Sequence, residues 1–169
     1  MKKFVSVMWT LVLTADACTS GGGQGGQSPY ESRIDSVLQR MSLDEKVGQM
    51  CELTIETIGE MKNDSFVIDY EKLQTVIGQY KVGSILNAPT HGLSREDWKR
   101  IIDAIQEISM REIGIPCIYG LDQNHGTTYT LGGTLFPQPI NLAASFNPAL
   151  ATEGAKICAY ETRASNCPW

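Results

Sequence analysis

From Ser32 onward, apolar positions recur at helical spacing. Ile34, Val37, Leu38 and Met41 fall at i, i+3, i+4 and i+7, which places them on one face of a helix. Ser42 ends that helix and opens the next. With Glu45 three residues on, it has the form of a capping box, in which each side chain satisfies a backbone N–H that the helix leaves unpaired. Leu43, Val47 and Met50 then give the second helix its face for burial. Glu52 to Val67 mixes β-branched residues with Gly59, Asn63 and Asp64, and reads as a strand end followed by an irregular, exposed insertion. Tyr70 to Tyr80 is helical again, with Leu73, Val76, Ile77 and Tyr80 at core spacing. Val82 to Leu86 reads as a strand that enters a loop at Asn87-Ala88-Pro89, and His91 lies in that loop.

The clearest periodicity follows. Ser94 caps a helix over Arg95 to Ile113, with Asp97 at the capping-box position and Trp98, Ile101, Ile102, Ile105 and Ile108 on one stripe. Glu96 with Arg100, and Glu107 with Arg111, stand at i,i+4 spacing for solvent-side ion pairs. Gly114 and Pro116 end this helix, and Cys117 to Leu121 is short, apolar and uncharged, the pattern of a buried strand. The first charge after it is Asp122, followed by the polar run Gln123 to Thr128. Asn147 and Pro148 supply an N-cap and an N1 proline for a helix through Ala164, in which Ala151, Gly154, Ala155 and Cys158 are small enough for close packing. Strands alternating with helices predict a parallel α/β fold. In a β/α barrel, a carboxylate at the C-terminal end of a strand faces the active site.

The N-terminus has a different character. Met1-Lys2-Lys3 and the short apolar run Phe4 to Leu13 have the form of an export signal, too short to span a bilayer as a mature helix. Residues 1–18 end in Thr14-Ala15-Asp16-Ala17-Cys18, which resembles a bacterial lipoprotein cleavage site with Cys18 as the lipidated residue. An ordinary signal peptide, cut after Ala15 or Ala17, is the alternative. Residues 19–30 form a tether, since Thr19 to Ser28 is Gly, Gln, Ser and Thr with nothing to bury. The folded domain is then 31–169.

Charge and cysteine usage narrow the chemistry. A net charge of -5 without clustered Lys and Arg excludes a phosphate backbone as partner. Of the five cysteines, Cys18, Cys51, Cys117, Cys158 and Cys167, none is spaced Cys-x-x-Cys, and Cys51, Cys117 and Cys158 read as small buried hydrophobes. His91 and His125, the two histidines, sit in separate loops without ligand spacing, so no metal and no cofactor is expected.

Three short motifs in order carry a resemblance. Gly-Leu-Asp-x-x-His-Gly (120–126), Thr-Leu-Phe-Pro-Gln-Pro (134–139) and Leu-Ala-Ala-Ser-Phe-Asn-Pro (142–148) are similar to the N-terminal domain of family 3 glycoside hydrolases, in their β-glucosidase branch. Arg40 to Met50 and Glu161 to Ala164 extend the likeness over Ser32 to Trp169. The resemblance implies an α/β fold that is the incomplete N-terminal part of a (β/α)8 TIM-like barrel, since such a barrel takes about 250 residues. It also implies a retaining hydrolase of terminal β-D-glucosyl residues, working with two carboxyl groups about 5 Å apart on a β-linked glucoside or oligosaccharide. The nucleophilic Asp, the general-acid Glu and the Lys-His pair of the family would all fall beyond Trp169, leaving no catalytic residue in this chain and no activity of its own. Asp122 matches the family's Asp that binds hydroxyls of the innermost sugar, with His125 and Gly126 supporting its loop; capping that loop is the simpler role open to Asp122. Two other functions stand beside this one. An exported lipoprotein could bind sugar without cleaving it, and the N-acetylglucosaminidase branch of the same family has a similar domain, though His125-Gly126 follows the β-glucosidase pattern.

Overall fold

The structure, a computed structural model, describes residues 28–167. Residues 1–18, expected to be an export signal ending at Cys18, most of the expected tether, and Pro168-Trp169 lie outside the described residues. The chain divides into two units, residues 1–40 and 41–169. In the first, α1 spans Glu31–Arg40 and carries Ile34 and Leu38 exposed on one face.

The second unit begins with α2 (Leu43–Gln49). Ser42 accepts a hydrogen bond from the Glu45 N–H (3.2 Å) and the Glu45 carboxylate accepts one from the Ser42 N–H (2.8 Å), so the capping box forms. The expected burial of Leu43, Val47 and Met50 does not occur; all three are exposed. Close backbone approach on the other side of the helix is the reason. The Gly48 carbonyl accepts the Gly83 N–H (3.0 Å), and a Cβ on Gly48 would stand 2.0 Å from the Tyr80 carbonyl oxygen, so α2 turns this bare side inward.

Glu52 to Val67 is ordered, contrary to the expectation of an irregular insertion. Strand β1 (Glu52–Thr54) runs into a 3-10 turn, Ile55–Thr57, and then into an antiparallel hairpin of β2 (Gly59–Lys62) and β3 (Ser65–Ile68). Asn63 (φ 48°) and Asp64 (φ 61°) make the two-residue turn, both in the left-handed region that such turns require. Ile55, Ile58, Phe66 and Ile68 point into the core from this segment.

Helix α3 (Tyr70–Leu73), capped by Asp69, continues as a π-helical stretch, Gln74–Gln79. Leu73 and Ile77 are buried, Val76 packs against the core, and Tyr80 is exposed because the helix has ended beneath it. Strand β4 (Ser84–Leu86), helix α4 (Arg95–Glu112) and strand β5 (Ile118–Gly120) follow. The sheet is parallel with order β1-β4-β5, Leu53 pairing with Ile85 and Ile85 with Tyr119. Among the described residues the three strands leave the outer edges of β1 and β5 unpaired, an open α/β sheet that is part of a barrel that is not closed.

The whole predicted stripe of α4 is buried. Trp98 is 0% exposed, meets the Tyr119 ring edge-on at 5.6 Å, and donates its indole N–H to the Tyr129 carbonyl (2.9 Å). Its solvent-side pairs differ from those expected. Arg100 bonds Asp97 (2.9 Å) and the Phe66 carbonyl (2.7 Å) rather than Glu96, and Arg111 bonds Glu112 (3.0 Å) and Gln74 (2.8 Å) rather than Glu107. A guanidinium placed near a carbonyl or amide of a neighbouring element gains a less solvated partner than a surface Glu offers.

Cys117 is buried as expected, and burial pushes its thiol up to about 12. Cys158 is half-buried, and Cys51 is exposed, because the turn after α2 that carries it faces outward with Met50. After β5 comes an unforeseen short helix, α5 (Pro139–Ala144), then α6 (Pro148–Ala164) with Asn147 accepting the Ala149 N–H (3.1 Å). The small residues of α6 do not pack closely as expected. The nearest atoms to a Cβ on Gly154 belong to the Phe136 ring at 3.9 Å, and Ala151 and Ala155 stay exposed beside an open groove.

Candidate functional site

Parallel strands bring their C-terminal ends to one edge of the sheet, so the residues just after them are gathered by topology rather than by sequence spacing. Glu56 follows β1, Asn87 follows β4, and Asp122 follows β5. Glu56 and Asp122 are exposed, and Asn87 is half-buried.

Asn87 is held on every side. Its N–H donates to the Gly120 carbonyl (2.8 Å), its own carbonyl accepts the Tyr119 hydroxyl (2.7 Å), and its side-chain Oδ1 accepts the Ala88 N–H (2.9 Å). The remaining group, Nδ2, donates to Oδ2 of Asp122 (3.2 Å). Oδ1 of Asp122 has no hydrogen-bond partner among the described residues. Tyr119 is buried, which raises its pKa far above the ordinary tyrosine value, so its hydroxyl remains a donor to Asn87.

The loop beyond Asp122 is pinned in two places. His125 to Thr127 lies antiparallel to Thr134 to Phe136: the Phe136 N–H donates to the His125 carbonyl (2.7 Å) and the Thr127 N–H to the Thr134 carbonyl (2.9 Å). Nδ1 of His125 lies 3.0 Å from the Phe136 carbonyl, and because a carbonyl can only accept, this nitrogen carries the proton. Gly126 has φ +108°, and a Cβ there would stand 2.2 Å from the Thr134 oxygen, so both the backbone angle and the close approach demand glycine. The second pin is Glu161 of α6, whose carboxylate accepts from the Thr134 hydroxyl (2.7 Å) and N–H (2.8 Å). Those bonds, the hydroxyl first, lower its pKa.

Sequence reading singled out Asp122, His125 and Gly126, and the structure places them on one strand end and its loop. It overlooked three others. Glu161 appeared only as part of a motif, Asn87 only as a loop residue, and Glu56 not at all. A signal existed for the last two, since each lies within two residues of the end of a parallel strand. His91 is not brought to His125; its Nε2 is 3.6 Å from Asp64 of the β2–β3 turn, while His125 faces Phe136. Among the described residues no group of three or more His, Cys, Asp or Glu could hold a metal.

A groove of about 460 Å³ runs between α6 and the segment before it, lined by His125, Phe136, Leu142, Leu150, Gly154 and Cys158 among others. Its lining is largely apolar and does not include Asp122. Sugar hydroxyls demand hydrogen-bonding partners, so the strand ends, and not this groove, are the candidate site.

Comparison with known proteins gives the family and the fold. The chain is 35% identical over 152 residues to the lysosomal beta glucosidase of Dictyostelium discoideum, covering 84% of this chain and 18% of that protein. It is 28% identical over 128 residues to the periplasmic beta-glucosidase of Salmonella typhimurium, covering 76% of this chain and 14% of that one. It thus spans less than a fifth of the length of these curated relatives. Among solved structures, an exo-1,3/1,4-beta-glucanase from a Pseudoalteromonas species, in a Q683A mutant, superimposes with a TM-score of 0.66 at 26% identity, over 83% of this chain and 22% of that one. Residues 42–169 match the glycosyl hydrolase family 3 N terminal domain, and the chain belongs to that family.

Proposed function

We propose that this chain is the N-terminal part of the barrel of an exported β-glucosidase-type hydrolase, and that it contributes to the subsite for the terminal β-D-glucosyl unit. The observation that carries the reading is Asp122: an exposed carboxylate at the C-terminal end of β5, with one oxygen held by Asn87 and the other unpartnered among the described residues. Such an oxygen can accept a charge-assisted hydrogen bond from a ring hydroxyl and so orient the sugar for attack. The β-glucosidases among its relatives support the substrate class. In this reading the nucleophile and the acid/base lie beyond Trp169, so Asp122 orients and does not cleave.

Residues 1–18 direct export, and Cys18 carries a lipid that anchors the domain through the tether. Labelling with a lipid precursor is expected on the wild type and not on Cys18→Ala; no label on either removes the anchor and leaves an ordinary signal peptide. The function itself is tested in the complete hydrolase carrying this segment. Asp122→Asn should lower kcat/KM for an aryl β-glucoside by about a hundredfold or more while leaving the fold intact, which corresponds to about 3 kcal/mol of lost transition-state binding. Wild-type kinetics in that variant would refute the subsite. An absence of turnover in the complete protein, with glucoside still bound, would favour a sugar-binding lipoprotein.

A further inference from the structure

We propose that Asn87 is a positioning residue for Asp122: its carboxamide N–H holds one carboxylate oxygen so that the other is presented to the substrate. The proposal rests on the sugar-subsite reading of Asp122 and adds a residue to it. No motif identified Asn87. It is the geometry after β4 that points to it.

Asparagine at this position meets three demands at once. The chain turns off the end of β4 with φ +70° at Asn87, a left-handed conformation that asparagine adopts more readily than most residues. The side chain then bonds the next residue, with Oδ1 accepting the Ala88 N–H at 2.9 Å. Because Ala88 N–H is a donor, the atom facing it must be the carboxamide oxygen, which leaves Nδ2 facing Asp122 and fixes the amide's orientation from the network itself. Across the strand pair, the Gly120 carbonyl and the Tyr119 hydroxyl fasten the Asn87 backbone to β5, at 2.8 and 2.7 Å. The donor is therefore carried by a frame that cannot rotate away, while Asp122 is an exposed side chain two residues past its strand and needs such a restraint to keep one rotamer.

Two variants separate this role from the turn that Asn87 also makes. Asn87→Gly keeps the left-handed backbone and removes the amide. Asn87→Asp keeps the shape and the bond to Ala88 but replaces the donor with a second carboxylate facing Asp122. At neutral pH and above, the two carboxylates repel. As pH falls they come to share a proton, and the protonated partner again donates to its neighbour. The other titratable groups at this end of the sheet, Glu56, His91 and His125 on its loops and Tyr119 within β5, are the same in every protein compared, so the ratio of variant to wild-type kcat/KM isolates the new pair.

In the complete hydrolase acting on an aryl β-glucoside, Asn87→Gly is expected to lower kcat/KM by about tenfold with a ratio to wild type that does not change with pH. Asn87→Asp is expected to lower it further at neutral pH and to recover toward wild type as pH falls. In an Asp122→Asn background, Asn87→Gly should have little further effect. Wild-type kinetics in Asn87→Gly, or an Asn87→Asp deficit that does not change with pH, overturns the proposal. The recovery with pH is internal to folded Asn87→Asp protein, so a general loss of structure cannot imitate it. If Asp122→Asn, measured alongside, behaves as wild type, the subsite reading itself fails; if Asp122→Asn is impaired and the Asn87 variants are not, only the positioning role falls.

Discussion

Glu161→Ala offers a perturbation whose size can be worked from two bonds. The Glu161 carboxylate reaches from α6 to Thr134 through its hydroxyl at 2.7 Å and its N–H at 2.8 Å. Thr134 in turn accepts the Thr127 N–H, so the clamp stands behind the pairing that carries His125 and Gly126. A hydrogen bond to a charged group is worth about 1.5–3 kcal/mol when shielded, and less where water competes, so the half-exposed pair together should contribute about 2 kcal/mol. Local opening would then become easier by about thirtyfold, at a factor of ten for each 1.4 kcal/mol. Amide hydrogen exchange across residues 125–136, in the complete hydrolase, reads this directly: the Thr134 and Thr127 amides should lose about that much protection while α4 keeps its own. Glu161→Gln can still accept from the N–H and donate to the hydroxyl, so it should lose only the charge assistance, about fivefold. Because the folded-state pKa of Glu161 is lowered, the stability it contributes is present above the ordinary carboxylate range and is lost as pH falls through the lowered value. Glu161→Gln should abolish that acid sensitivity of the loop. Unchanged Thr134 protection in Glu161→Ala would refute the clamp.

Two further outcomes follow from the core and the open sheet. Trp98→Phe keeps a ring against Tyr119 but removes one of the two donors to the Tyr129 carbonyl, which retains the Leu93 N–H (3.0 Å), and should cost about 1 kcal/mol, seen as faster exchange along α4, whereas Trp98→Ala should cost about 3–5 kcal/mol and lower the soluble yield. Equal behaviour of the two would contradict the packing described for Trp98. Residues 28–167 made alone should show no turnover of an aryl β-glucoside and no cooperative melt in near-UV circular dichroism, since the free edges of β1 and β5 and the apolar groove beside α6 are left uncovered. A cooperative melt of a soluble monomer would contradict this account of the open sheet.

What could be read in the sequence was periodicity with a partner inside the segment. The α4 stripe, the Ser42 and Ser94 caps, the Asn147 cap and the β5 strand all depend on local spacing, and all formed, with two departures: Ile118 of the expected buried strand is exposed, and Asp97 accepts the Ser94 hydroxyl (2.8 Å) and not the backbone N–H that a capping box requires. Leu43, Val47 and Met50 show the limit: their spacing announces an apolar face, but exposure is decided by Gly48, whose bare backbone sets which side of α2 approaches the sheet. The hairpin of Gly59 to Ile68 was legible in principle, because Asn63-Asp64 supplies a two-residue turn between Met61 and the alternating Phe66 and Ile68. Scattered polar residues concealed it. At the site, Asp122 was visible as the first charge after an apolar run, whereas Asn87 and Glu161 owe their places to residues 35 and 27 positions away, contacts that only the parallel sheet and the docked helix create.

The central claim, that Asp122 grips the glucosyl unit, is tested most directly by pairing the variant with altered substrates. In the complete hydrolase, kcat/KM is measured for aryl β-glucosides lacking the 3-, 4- or 6-hydroxyl, with wild type and with Asp122→Asn. For at least one hydroxyl, removal should cost the wild type about tenfold or more and cost Asp122→Asn much less, because the partner of that hydroxyl is already weakened. Penalties of the same size in both proteins, for every hydroxyl, would contradict the claim.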